Sequence, residues 1–248
     1  MCGIKKSVVE SSGLLYQCMT STLQLFSYEA GVKDLNNPNG VFGGCIYKDW
    51  LFSVFHGTSN LKDEAYCFVR RDARGPIYLK LNPEFMSLMP IYEENPQLTF
   101  IDFLYQKISR DIQFEGYYRD DDTDDVISFP IHCFSTLASP NLSGLYYFFG
   151  NTRGTICRVS NEITYKSIFR RLEYCSEVDD FMLEFELDEP IADSNSYKGA
   201  SGAPIVDEDG NLVSLVVSGI PGTRVLHGVN LIRLGHLVEV LSENGIGE

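Results

Sequence analysis

The chain has 248 residues, 44% of them apolar and 22% charged, with a net charge of -14; these totals suit a globular protein with one large all-β domain or two small packed ones. So acidic a balance argues against a nucleic-acid protein, since phosphate contacts need clustered Lys and Arg, and no run of about 18 apolar residues offers a membrane span. The opening MCGIKKSVVESSG lacks the apolar core of a secretory signal, so the chain reads as cytoplasmic.

In chain order, residues 22–28 (TLQLFSY) are rich in β-formers, and NNPNG at 36–40 forces a loop before a second apolar run begins at Val41. Further strands are predicted at 65–70, 76–81, 126–129, 145–149 and 155–159. At 181–187 the alternation is clean, with Phe181, Leu183, Phe185 and Leu187 on one face. Asp209-Gly210 between two apolar runs marks a tight hairpin, because a primed turn needs residues that tolerate positive φ. Two helices interrupt this pattern. Thr99-x-x-Asp102 has the form of a capping box, and Phe103, Leu104, Ile108 and Ile112 follow at helical spacing. Leu234, Leu237, Val238 and Leu241 predict a closing helix, in which Gly235 costs about 1 kcal/mol relative to Ala. Many short strands with turns between them predict a mostly β chain built as barrels or a sandwich.

Seven cysteines (Cys2, Cys18, Cys45, Cys67, Cys133, Cys157 and Cys175) are scattered singly, with no Cys-x-x-Cys pair. They point to free thiols rather than a zinc site or a disulfide framework.

The stretch Gly199-Ala200-Ser201-Gly202-Ala203-Pro204 packs small residues around one hydroxyl. A serine hydroxyl is a weak nucleophile; an imidazole must take its proton and a carboxylate must fix the imidazole tautomer. Backbone N–H donors must also wait where the oxyanion forms. Gly199 and Ser201 can aim two N–H groups at one point if the backbone between them carries no bulk. Of the four histidines, His56 ends the apolar run WLFSVF and precedes Gly57-Thr58-Ser59; taken alone that placement favours a histidine capping a strand end, and it can also lie at a cleft edge.

These residues together resemble the chymotrypsin-like serine proteases. Residues 199–204 are similar to that family's Gly-x-Ser-Gly-x-Pro nucleophile motif, and residues 43–56 resemble its Gly-Gly strand with a Trp and, six residues on, the catalytic His. Residues 216–221 and 228–230 resemble its pocket-forming strands, most closely in the bacterial glutamyl-endopeptidase branch.

The resemblance implies two packed six-stranded antiparallel β-barrels, with the inserted helix and the C-terminal helix as additions. It divides the chain into an N-terminal extension (1–20), a first barrel (21–140), a second barrel (141–230) and a terminal helix (231–248). It implies a serine endopeptidase acting on polypeptides, with no metal or organic cofactor. His56 is the base, Ser201 the nucleophile, and Gly199 and Ser201 form the oxyanion hole. The carboxylate is read as Asp125, which stands just before the apolar residues 126–129; Asp124 and Asp102 remain the alternatives. The pocket for the side chain before the scissile bond is assigned to Asn195, Ser218, Gly219 and His227, with His227 either reading an acidic side chain, as a histidine does in glutamyl endopeptidases, or facing solvent. Ser218 also matches a serine that donates to the catalytic carboxylate.

Three departures from the secreted members carry information. Phe42 and Gly57 stand where many of them have a disulfide, and Ala200 stands where zymogens keep an Asp for a new N-terminus. The long segment between His56 and Asp125 is a place for a protein regulator, a cover over the cleft, or mere padding. Two other readings compete: a chymotrypsin-like fold retired to a binding module, and an amidotransferase using Cys2 behind the initiating Met.

Overall fold

The structure is a computed structural model that describes residues 5–31, 38–57, 64–82, 84–87, 100–120, 122–123, 125–142, 144–156, 163–193 and 195–243. Two short helices, α1 (Lys6–Ser11) and α2 (Gly13–Thr20), lead the chain. A seven-stranded antiparallel sheet follows, in the order β5 (Gly75–Lys80), β4 (Glu64–Asp72), β1 (Leu23–Tyr28), β2 (Gly40–Tyr47), β3 (Trp50–Ser53), β7 (Phe100–Lys107) and β6 (Glu84–Ser87). The hairpin of β8 (Glu115–Arg119) and β9 (Val126–Pro130) packs on β4, with the Phe68 and Tyr117 rings edge-on at 4.9 Å.

The second half closes into a six-stranded barrel. Its strands are β10 (Leu145–Ile156), β11 (Ile163–Glu177), β12 (Met182–Leu187), β13 (Pro204–Asp207), β14 (Leu212–Gly219) and β15 (Val225–Val229). Helix α3 (Leu231–Glu243) ends the described chain. The architecture is mostly β, as the sequence predicts, and a closed six-stranded barrel beside a seven-stranded sheet is consistent with the expected double barrel.

Alternation sets the barrel core. Leu183, Phe185 and Leu187 of β12 are fully buried, as are Ile205, Val213 and Leu226 from the strands across from them. The Asp209-Gly210 turn forms, with Gly210 at φ 79. Residues 155 and 156 extend β10 instead of starting a separate strand, and 157–159 lie outside the described residues.

The inserted helix is a correction. Residues 100–107 form β7, paired with β3 through Ser53↔Leu104 and Phe52↔Tyr105. Phe103 and Leu104 are both buried, so the strand is covered on its two faces, and a two-sided apolar run imitates helical spacing. Thr99, the other half of the expected capping box, lies outside the described residues.

Candidate active site

The turn after β3 brings a base to an acid on β7. After β3 the chain makes one 3₁₀ turn, Phe55–Gly57, which packs on β7. There the Asp102 carboxylate grips His56 at two atoms: Oδ2 lies 2.6 Å from the ring Nδ1, and Oδ1 accepts the His56 backbone N–H at 2.9 Å. A carboxylate on Nδ1 fixes the tautomer with the proton there, which leaves Nε2 as the free base. The ring is 46% exposed and the carboxylate 28%, so the pair sits at a surface that a substrate can reach.

Asp125 is elsewhere, and its assignment as the carboxylate beside His56 is corrected here. It lies in the turn joining β8 to β9, exposed, its N–H donating to Thr123 Oγ1 and its carbonyl accepting from the Asp120 N–H. The acidic run serves that turn: Asp120 Oδ1 accepts from the N–H groups of Lys6 and Asp122, and its Oδ2 accepts from Thr123. Asp124 lies outside the described residues.

Ser201 sits in the turn before β13, where the backbone pattern is specific. The N–H groups of Lys198, Ala200, Gly202 and Ala203 donate to the carbonyls of Asn195, Tyr197, Val216 and Ala200 respectively. Among the described residues the N–H groups of Gly199 and Ser201 have no protein acceptor. Gly199 is at φ 105, a region an L side chain rarely enters, and that conformation lets the donors alternate. Two unpaired amides two residues apart match the number of donors that an oxyanion hole uses.

The serine hydroxyl itself donates to the Val217 carbonyl at 3.2 Å, and no hydrogen bond joins it to His56. Both residues nevertheless flank β2. The Gly43 N–H donates to the Ser201 carbonyl at 2.6 Å, and Gly57, beside His56, packs so close to Phe42 that a Cβ there would run into its ring. Ala200 is fully buried, so the position where zymogens keep an acid is closed by packing here.

A cavity of about 230 Å³ opens beside Ser201, walled by Ile191, Tyr197 and residues 216–219 and carrying Asp193 and Lys198. Ser218 and Gly219 line it; Asn195 and His227 do not. The Asn195 N–H instead orients Asp193 by donating to its Oδ1 at 2.7 Å. His227 lies on β15 with its Nε2 3.6 Å from a Glu184 carboxylate oxygen. Ser218 is exposed and makes no hydrogen bond to Asp102, so the assigned donation to the carboxylate is absent. Burial pushes the Tyr197 hydroxyl above its ordinary range, while Arg170 pulls it back.

Asp193, which lines the cavity, has no local sequence pattern that sets it apart. Asp102 carried one usable signal, the alternation of Ile101, Phe103 and Tyr105 around it. No group of three or more His, Cys, Asp and Glu side chains gathers as a metal site among the described residues, and Cys2 lies outside them.

No protein-family model matches this sequence, and no curated protein matches it. Solved structures do. The serine endoprotease from Yersinia pestis superposes with a TM-score of 0.54 at 11% identity, over 93% of this chain and 66% of that one. The tobacco etch virus protease bound to product gives 0.54 at 9% identity, over 94% and 81%. Neuropsin, a serine protease of mouse brain, gives 0.52 at 12% identity, over 88% and 93%. At such identities the likeness is one of fold, and the fold is the chymotrypsin-like double barrel of these proteases.

Proposed function

We propose that the chain is a serine endopeptidase in which His56, Asp102 and Ser201 carry the reaction. The observation that carries this reading is the two-point hold of Asp102 on His56, which leaves Nε2 as a base at the exposed edge of the cleft. The unpaired amides of Gly199 and Ser201 support it.

In this reading Ser201 Oγ turns from the Val217 carbonyl toward His56 and attacks the scissile carbonyl carbon as its proton passes to Nε2. The carbonyl π pair moves to oxygen, where the N–H groups of Gly199 and Ser201 receive the charge. Collapse breaks the C–N bond, and the imidazolium gives its proton to the leaving amine. A water then repeats the sequence on the acyl-enzyme, and Ser201 recovers its proton. Asp102 stays ionised throughout and stabilises the imidazolium. The side chain before the scissile bond enters the cavity walled by Ile191, Tyr197 and β14.

A fluorophosphonate tests the reading directly. Native protein should be labelled at Ser201 alone, mapped by mass spectrometry, and Ser201→Ala and His56→Ala should take no label. A folded native protein that stays unlabelled at neutral pH would refute the peptidase and leave a binding module, the state in which Ser201 remains bonded to Val217.

A further inference from the structure

Ser53 is fully buried on β3, three residues before His56, and its use is not explained by the sheet. Its hydroxyl donates to the Gly43 carbonyl at 2.6 Å. Gly43 in turn donates its N–H to the Ser201 carbonyl. The two bonds hold the Gly43 backbone at both of its polar atoms, one from each half of the molecule. The contact is close on every side. A Cβ on Gly43 would lie 2.6 Å from the Ala203 nitrogen, and one on Gly202 would run into the Gly43 carbonyl and come within 2.7 Å of Ser53 Oγ.

Ser53 is also tied to the acid and the base. It continues into the turn that presents His56, and its pairing partner Leu104 is two residues from Asp102 on β7. Ser53 therefore stands on the strand that leads to the base and pairs with the strand of the acid, and its hydroxyl bonds the strand that grips the nucleophile turn. We infer that Ser53 is a positioning residue: through Gly43 it sets the place of Ser201 relative to the His56–Asp102 pair across the junction of the two halves.

The physical argument is one of orphaned polarity and of distance. Without the hydroxyl the buried Gly43 carbonyl loses this donor, and the chain relaxes to find another. A shift on the order of 1 Å at a reacting atom lowers a rate by about 100-fold even when the change lies away from the chemistry.

Two readouts on the full chain test this, and only the first rests on the peptidase reading. The first is the concentration dependence of fluorophosphonate labelling. Ser53→Ala should lower the limiting rate of Ser201 modification by roughly 10- to 100-fold and leave the half-saturating concentration unchanged. Ser53→Thr, which keeps the hydroxyl, should restore most of the rate. The second is amide hydrogen exchange by mass spectrometry. Ser53→Ala should speed exchange in peptides covering residues 42–44 and 199–203 and leave those covering 182–187 alone. Should the alanine variant not fold, Ser53→Cys, slightly larger and a weaker donor, should itself label more slowly than the native chain at saturation and exchange faster at 199–203.

A folded Ser53→Ala, or a Ser53→Cys in its place, that labels at the native rate with unchanged exchange at 199–203 would overturn the inference. So would a loss confined to the half-saturating concentration, or one that Ser53→Thr does not repair. If native protein takes no label, the peptidase reading fails alone, and exchange at 199–203 still decides the role of Ser53.

Discussion

Asp102 meets His56 at both the ring and the backbone, so the carboxylate fixes the place of the turn as well as the tautomer. The nucleophile turn depends in the same way on single residues. Gly202, at φ 81, presses on the Gly43 carbonyl, where rigid backbone cannot yield as a flexible side chain would. Gly202→Ala is expected to destabilise the protein by about 1–3 kcal/mol through overpacking alone, with added strain from the positive φ. Urea unfolding of the variant against native protein measures this. An unchanged midpoint would mean that the two halves separate easily at this contact. The small residues around Ser201 were legible in the sequence as a demand for bare backbone. Gly199 and Ser201 were legible as its two donors as well, but the carbonyls that pair the amides around them were not, since Val216 comes from another strand.

Elements were legible where one face is buried. Strand β12 shows its alternation plainly because Leu183, Phe185 and Leu187 point inward while Glu184 and Glu186 pair with His227 and Arg224. Strand β7 failed the same test because it is covered on both faces, and period alone cannot separate such a strand from a helix. The misreading of β7 is what made Asp102 look like a cap and Asp125 the better carboxylate. The β2–β3 turn was also hidden: Lys48 takes φ 53 with no glycine or asparagine to announce it. Its ammonium pairs with Glu239 of α3, which also accepts from the Tyr47 hydroxyl at 2.9 Å. The Lys48 hydrogen bond holds the Glu239 carboxyl below its ordinary value of 4.5. A depressed carboxyl stabilises the fold above its unfolded pKa and loses that contribution as pH falls through the folded one. Glu239→Gln should therefore lower stability at pH 7 by about 0.2–1 kcal/mol, since Lys48 is half exposed. The difference from native protein should close as the pH drops below about 4. A gap that persists in acid would assign the effect to packing.

At the scale of the whole molecule, the fold was readable because motifs at both ends, His56 before the middle and Ser201 near the close, fit one chain order. The middle was not, since the pairing of β7 with β3 joins residues about 50 apart in sequence, beyond what a local pattern records. All five cysteines among the described residues are free, and burial pushes the Cys18 thiol up to about 12 and those of Cys45 and Cys67 higher. Iodoacetamide at pH 8 should leave these three untouched in folded protein and modify them in denaturant, while exposed Cys133 reacts in both. Rapid native alkylation of Cys45 would mean that the first sheet opens. The proposed reaction requires Asp102, not Asp125, beside His56. The deciding measurement is the fluorophosphonate labelling rate of Asp102→Asn beside Asp125→Asn. The geometry predicts a loss of roughly 100- to 10,000-fold in the first and the native rate in the second. A native rate in Asp102→Asn, or the loss appearing in Asp125→Asn instead, would contradict it.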